Sequence, residues 1–125
     1  MRSSLSYGLL LSSYFLACLL RSGSGVIFPA VAADIGISPA AIGLISGMFY
    51  YGYTLAQPYC GMLCDRKSPV FAVSLGMIIF SLGLFMFSFT KDPYILGISR
   101  FLTGVGAGPT FCALMAYQAN AFPPA

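Results

Sequence analysis

The segment Gly61-Met-Leu-Cys-Asp-Arg-Lys67 is the main topological signal in this sequence, because it places three charges between two of the longest apolar runs. This pattern predicts a hairpin turn at the cytoplasmic surface of a membrane. Asp65 would then lie against the negative end of a helix dipole, so it needs a partner on another helix or in Arg66 and Lys67. The alternative is that the three charges only keep a short loop hydrated on the cytoplasmic side.

Composition places the whole chain in a membrane. Of its 125 residues 58% are hydrophobic and 7% are charged, and the mean hydropathy is +0.88, which is too apolar for a soluble domain. About 20 apolar residues are needed to cross a bilayer, and four such runs fill the chain with no soluble domain left over. We therefore expect an all-α membrane protein with transmembrane helices over about residues 7–32, 39–63, 69–89 and 93–121.

The distribution of basic residues predicts the orientation of these helices. Arg2, Arg66 and Lys67 fall on one side of the membrane and Lys91 on the other, which favours a cytoplasmic N-terminus in the plasma membrane. The six basic residues are scattered along the chain, so we expect no nucleic-acid partner. The first apolar run could also imitate a secretory signal, but Arg21 and the three later runs favour a helix that is retained.

Arg21 is the first candidate for function, because it would lie near the middle of the bilayer. An unpaired charge there costs at least ~2.5 kcal/mol, so the side chain must face protein or water. Tyr14, Cys18 and Gly25 share its helical face, which we expect to line a cavity. The acids of the chain all belong to span ends. Arg21 is therefore predicted to bind an anionic solute with Tyr14 nearby; the alternative is an ion pair with residues outside this chain.

Helices 2, 3 and 4 should each begin with a capping side chain followed by proline, at Ser38-Pro39, Ser68-Pro69 and Asp92-Pro93. In helix 2, Gly43-x-x-x-Gly47 predicts close packing against another helix, and Gln57 is a candidate solute contact. Helix 3 carries only serines as polar side chains, and we expect it to face lipid as scaffold.

Helix 4 combines a second buried cation, Arg100, with Gly104, Gly106 and Gly108. Glycines weaken a helix by roughly 1 kcal/mol each, which is tolerated where helices pack tightly or bend. Arg100 is predicted to contact the solute or a coupling ion, or else to bond to backbone carbonyls near the glycines. The spacing from Arg100 to Gly104 repeats that from Arg21 to Gly25, which suggests the inverted repeat of many secondary transporters.

Three segments resemble the major facilitator superfamily. Gly61-x-Leu63-x-Asp65-Arg66 is similar to its loop between helices 2 and 3, Arg100-x-x-x-Gly104-x-Gly106-x-Gly108 to its helix 4 signature, and Asp34-Ile-Gly-Ile-Ser-Pro39 to its entry into helix 2. The first match is incomplete, because Ser68 replaces a glycine and Pro69-Val70 replaces two basic residues.

The resemblance implies an alternating-access symporter or antiporter, with helices 1 and 4 along the central pathway and helix 3 at the periphery. It implies that Gly61, Asp65 and Arg66 belong to a gate. An arginine in helix 1 resembles the branches that carry organic or inorganic anions. Because the family has twelve helices, we expect this chain to be an N-terminal fragment that packs against the remaining helices in the lipid bilayer. We expect no cofactor, and a proton or other ion is a possible coupling partner.

Other classes of protein fit the sequence less well. A truncated or accessory membrane protein without transport of its own is the main alternative. A small four-helix exporter would need an embedded carboxylate, and the buried charges here are basic. An enzyme is not expected, since the chain has no histidine and no embedded acid. Cys60 and Cys64 share a helix face but lack further metal ligands, so we expect no metal site.

Overall fold

Residues 2–122, the part of the chain that the computed structural model describes, form four α-helices. These are α1 (Arg2–Ile35), α2 (Pro39–Arg66), α3 (Pro69–Phe89) and α4 (Pro93–Ala121). The expected all-α class is confirmed, since no strand occurs within this range. The side chain of Arg2 and the segment 123–125, where we expected the next cytoplasmic loop, lie outside the described residues.

The capping side chains begin three of the helices as predicted. The hydroxyl oxygen of Ser38 accepts a hydrogen bond from the Ala41 N–H at 3.3 Å, and that of Ser68 accepts from the Phe71 N–H at 3.1 Å. An Asp92 carboxylate oxygen accepts from the Tyr94 N–H at 2.9 Å. In each case proline occupies the next position, where its missing N–H costs no helical hydrogen bond.

Two helices extend further than the hydropathy pattern indicates. Helix α1 is longer at both ends, and α2 continues through Arg66, so that Asp65 and Arg66 lie in its last turn rather than in a loop. The Lys67 N–H still donates to the Leu63 carbonyl at 3.0 Å. Charged residues can extend a helix past the apolar run because the backbone hydrogen bonds continue where the side chains reach water.

Helix α4 is the centre of the bundle and packs between α2 and α3, while α1 lies against it more loosely. Close approach to α2 occurs where Gly104 faces the backbone of Phe49 and Tyr53, and Gly52 faces that of Phe101. Close approach to α3 occurs where Gly106 meets Gly76, and also where Gly83 faces Thr103 on the same two helices. Backbones approach this closely only where a Cβ is missing, so these glycines position α4.

Two expectations about packing need correction. A Cβ added to Gly43 or Gly47 would meet nothing within 4 Å, so within the described helices the close approach of α2 to α4 is made by Gly52 and not by the predicted motif. Helix α3 is not wholly lipid-facing, because Ala72, Gly76 and Phe80 are buried against the bundle. Its opposite side, which includes Ile78 and Phe85, is exposed.

The ends of the bundle have separate apolar cores. One contains Leu10, Cys64 and Leu114, and the other contains Phe28, Ile45 and Leu96. This arrangement places the start of α1 beside the end of α2, as antiparallel neighbours require. By length and composition alone, α1 over Ser4–Ile35 and α3 are able to cross a bilayer.

Candidate functional site

Arg100 lies in an enclosed environment between three helices. Only 7% of its surface is exposed, and its guanidinium carbon lies 5.0 Å from the ring centroids of both Phe28 on α1 and Phe49 on α2. Its Nη2 donates to the Ser24 hydroxyl at 3.3 Å, and its buried Nε has no partner among the described residues. Cation–π contacts of this kind are worth about 2 kcal/mol or more when desolvated.

This environment argues against one of the hypotheses for Arg100, in which its guanidinium bonds to backbone carbonyls near the glycines of α4. The guanidinium contacts aromatic rings and a hydroxyl from neighbouring helices, and within the described chain it makes no hydrogen bond to a backbone carbonyl. The sequence offers no signal for Phe28 and Phe49, since each belongs to an apolar run. A cavity of about 620 Å³ between α1, α3 and α4 also reaches Arg100.

Arg21 has a more open position. It is exposed, and it lines a small cavity of about 20 Å³ between α1, α2 and α4. The other lining residues include Tyr14, Phe49 and Tyr53, and the guanidinium is close enough to both tyrosine hydroxyls to interact electrostatically. Within residues 4–122, Lys91 Nζ lies 4.0 Å from Asp34 Oδ2 and forms an ion pair with it. In the same range no carboxylate pairs with Arg21.

Gln57 lies beside this cavity and is held by Cys112, which the sequence patterns did not indicate. The Cys112 thiol on α4 donates to Gln57 Oε1 at 2.8 Å, and the Gln57 side chain also lies beside the Tyr53 hydroxyl. The Tyr14 ring packs against Phe111 with 6.0 Å between centroids. A thiol in an apolar run carries no pattern that marks it as a hydrogen-bond donor to a glutamine on another helix.

The structure therefore brings some of the candidate solute contacts together and separates others. Tyr14 and Arg21 share one cavity, and Gln57 adjoins it through Tyr53. Arg100 lies apart, but the two sites share Phe49, whose ring contacts Arg100 and also lines the Arg21 cavity.

The candidate gating residues lie in two different environments, the exposed end of α2 and the buried helix contacts of α4. Asp65 and Arg66 are exposed at the end of α2, where Asp65 forms no salt bridge within the described range. Gly61 is half-buried, and a Cβ there would meet nothing within 4 Å. The glycines of α4 are instead buried in helix contacts: Gly104 and Gly108 face α2, and Gly106 faces α3.

Comparison with known proteins gives a consistent result. The sequence profile of the Major Facilitator Superfamily matches residues 10–125. The chain is 30% identical over 122 residues to the uncharacterized transporter YybO of Bacillus subtilis (strain 168), covering 98% of this chain and 27% of that protein. It is 29% identical over 98 residues to the quinolone resistance protein NorA of Staphylococcus aureus (strain Mu50), covering 76% of this chain and 25% of that protein. The chain thus spans about a quarter of the length of these relatives. No solved structure matches it significantly.

Proposed function

The chain belongs to the Major Facilitator Superfamily, and we propose that it supplies the first helices of a secondary transporter that moves a small anionic solute by alternating access. The two relatives above are described as a transporter and a resistance protein, and each is about four times as long as this chain. In this proposal the remaining helices form the opposite wall of the pathway.

The proposal that the solute is anionic rests on the environment of Arg21. A cation within a membrane-spanning helix is costly unless a partner or water compensates it. Arg21 has aromatic and hydroxyl neighbours and no carboxylate within the described chain. A negatively charged group of the solute would supply the missing partner, with Tyr14 and Gln57 as further contacts.

We assign a different role to Arg100. Its guanidinium is occupied by two rings and a hydroxyl, which tie α1 and α2 to α4. In this role Arg100 holds the pathway helices together. Because Phe49 contacts both arginine sites, movement at one site would be transmitted to the other.

The charged end of α2 is proposed to serve as the gate. Asp65 and Arg66 are exposed, so both are free to pair with another part of a longer transporter. Gly61 leaves room on the same helix for a close neighbour. With Arg66 and Lys67 on the cytoplasmic side, the N-terminus of the chain would also be cytoplasmic, in the plasma membrane.

The test is the variant Arg21→Lys in the full-length transporter, reconstituted in proteoliposomes. Lysine keeps the charge but loses the planar guanidinium that binds an acid group through two donors. We expect uptake from a panel of phosphate, lactate and benzenesulfonate to fall for the transported anion, with normal protein level. Lys91→Arg, at an exposed position, is the control and should leave uptake unchanged. Unaltered transport kinetics in Arg21→Lys would refute the anion site.

A further inference from the structure

We infer that the solute of this site is an aromatic monoanion, whose acidic group binds Arg21 and whose ring lies against Tyr14 and Tyr53. This inference rests on the proposed function and narrows it to a chemical class. The inference is supported by the charge of the site, by the volume of the cavity beside Arg21, and by the hydrogen bonds that nearby polar groups already make.

The charge of the site matches one negative group. Arg21 is the cation that lines the small cavity, and Arg100 is enclosed by Phe28, Phe49 and Ser24. Among the described residues that line the cavity no second cation faces Arg21, so a second negative charge held beside it would be buried without a partner, which is strongly unfavourable. A monoanion avoids this cost.

The volume of the cavity fits one atom of the acidic group. About 20 Å³ holds roughly one water-sized group. An oxygen of a carboxylate or sulfonate fits there beside Arg21, whereas the rest of the solute must lie outside, on the adjoining surface. The nature of that surface then decides which solutes bind.

The adjoining surface is aromatic. Tyr14 packs on Phe111 with 6.0 Å between ring centroids, and Tyr53 stacks on Phe49 with 6.2 Å. Tyr14 comes from α1 and Tyr53 from α2, and both residues line the same cavity as Arg21. Offset and edge contacts between aromatic rings add stabilisation beyond their buried area, so a planar ring is the solute group that this surface favours.

Most polar groups near the cavity already have partners inside the protein. The Thr110 hydroxyl donates to the Ala107 carbonyl at 2.6 Å, and the Gln57 carbonyl oxygen accepts from Cys112 at 2.8 Å. The Tyr14 hydroxyl interacts with Cys18. A solute with many hydroxyl groups, such as a sugar acid, would leave its own donors unpaired here, which disfavours it relative to an aromatic acid.

The experiment measures binding to the purified full-length transporter in nanodiscs, with sulfonates as probes because they stay charged at all working pH values. Benzenesulfonate is compared with methanesulfonate, which lacks the ring, with 1,3-benzenedisulfonate, which has two charges, and with benzenesulfonamide, which is neutral. We expect benzenesulfonate to bind about tenfold more tightly than each of the others. Tyr14→Leu should weaken benzenesulfonate severalfold without affecting methanesulfonate, while Tyr14→Phe, which keeps the ring, should preserve the preference.

The outcomes separate this inference from the proposed function. Equal affinity for benzenesulfonate and methanesulfonate, with both dependent on Arg21, would overturn the aromatic class and leave the anion site standing. Absence of benzenesulfonate binding would overturn the aromatic class as well. Benzenesulfonate binding that survives Arg21→Gln would overturn the anion site. The thermal unfolding midpoint of each variant distinguishes lost binding from lost folding.

Discussion

Gly76 on α3 and Gly106 on α4 face each other so closely that neither position has room for a side chain. A Cβ on Gly106 would lie 2.6 Å from the Gly76 carbonyl oxygen, and a Cβ on Gly76 would lie 2.7 Å from the Gly106 carbonyl oxygen. Real Cβ contacts are almost never shorter than 3.0 Å. Since the opposing atoms are backbone, one helix would have to move to admit a methyl group.

Gly106→Ala is therefore expected to destabilise the bundle by about 1–3 kcal/mol, the usual cost of overpacking a tight contact. Gly47→Ala is the matched control, because a Cβ at Gly47 meets nothing within 4 Å and alanine is the better helix former by up to ~1 kcal/mol. Thermal unfolding in detergent, followed by circular dichroism, measures both. Equal losses from the two variants would show that glycine content, and not this contact, sets stability.

The contact between Arg100 and Phe49 predicts an energetic coupling between α4 and α2. In a double-mutant cycle with Arg100→Met and Phe49→Leu, we expect a coupling energy of about 1–2 kcal/mol, since the guanidinium lies over a ring in a desolvated position. Phe85 is the control: it is 64% exposed and is not among the rings that Arg100 contacts. Additive effects for Arg100 and Phe49, measured by reversible unfolding, would contradict the coupling.

The serine at the start of α3 predicts a capping contribution. Ser68→Ala should lower stability by about 1 kcal/mol, because the Phe71 N–H loses its acceptor at the helix end. Ser74→Ala removes a hydroxyl that donates to the Val70 carbonyl of its own helix at 2.8 Å, so it should have a smaller effect. Hydrogen exchange of the first turn of α3 reports the difference directly. Unchanged exchange in Ser68→Ala would rule out the cap.

The hydrogen bond from Cys112 to Gln57 predicts a positioning effect on the solute site. Cys112→Ala frees the Gln57 amide to rotate, and if Gln57 contacts solute, the KM for benzenesulfonate uptake should rise roughly two- to tenfold, as the loss of one hydrogen bond allows. Cys112→Ser keeps a donor and should restore the KM. Cys60→Ala is the control, since Cys60 is buried between the same two helices without a hydrogen bond in the described chain. If Cys112→Ser raised the KM as much as Cys112→Ala does, the hydrogen-bond donor at this position would have no positioning role.

Sequence patterns predict single helices well and contacts between helices poorly. The spacing of Gly43 and Gly47 permits close packing, but among the described helices α4 packs closely against Gly52. Spacing shows which glycines share a face, and several faces of α2 carry small residues. Only the position of α4 selects among them, because α4 already meets α3 through Gly106 and Gly76.

The two arginines show the same division. Each lies in an apolar run, so the cost of an unpaired charge predicts from sequence that both need compensation. The sequence does not say what supplies it, since Phe28, Phe49 and Ser24 are far from Arg100 along the chain and have no distinguishing pattern. In the folded chain Arg100 is enclosed by these three residues. Arg21 stays exposed and lines a small cavity that also contains aromatic side chains.

The sequence by itself determined the all-α class, the membrane setting and the capped helix starts, because apolar run length, Ser-Pro and Asp-Pro pairs act through local chemistry. Tertiary structure alone decided that α4 lies at the centre, which glycines form contacts, and that Cys112 holds Gln57. These features depend on which faces of separate helices meet. That choice is made by the fit of whole surfaces, which no short stretch of sequence encodes.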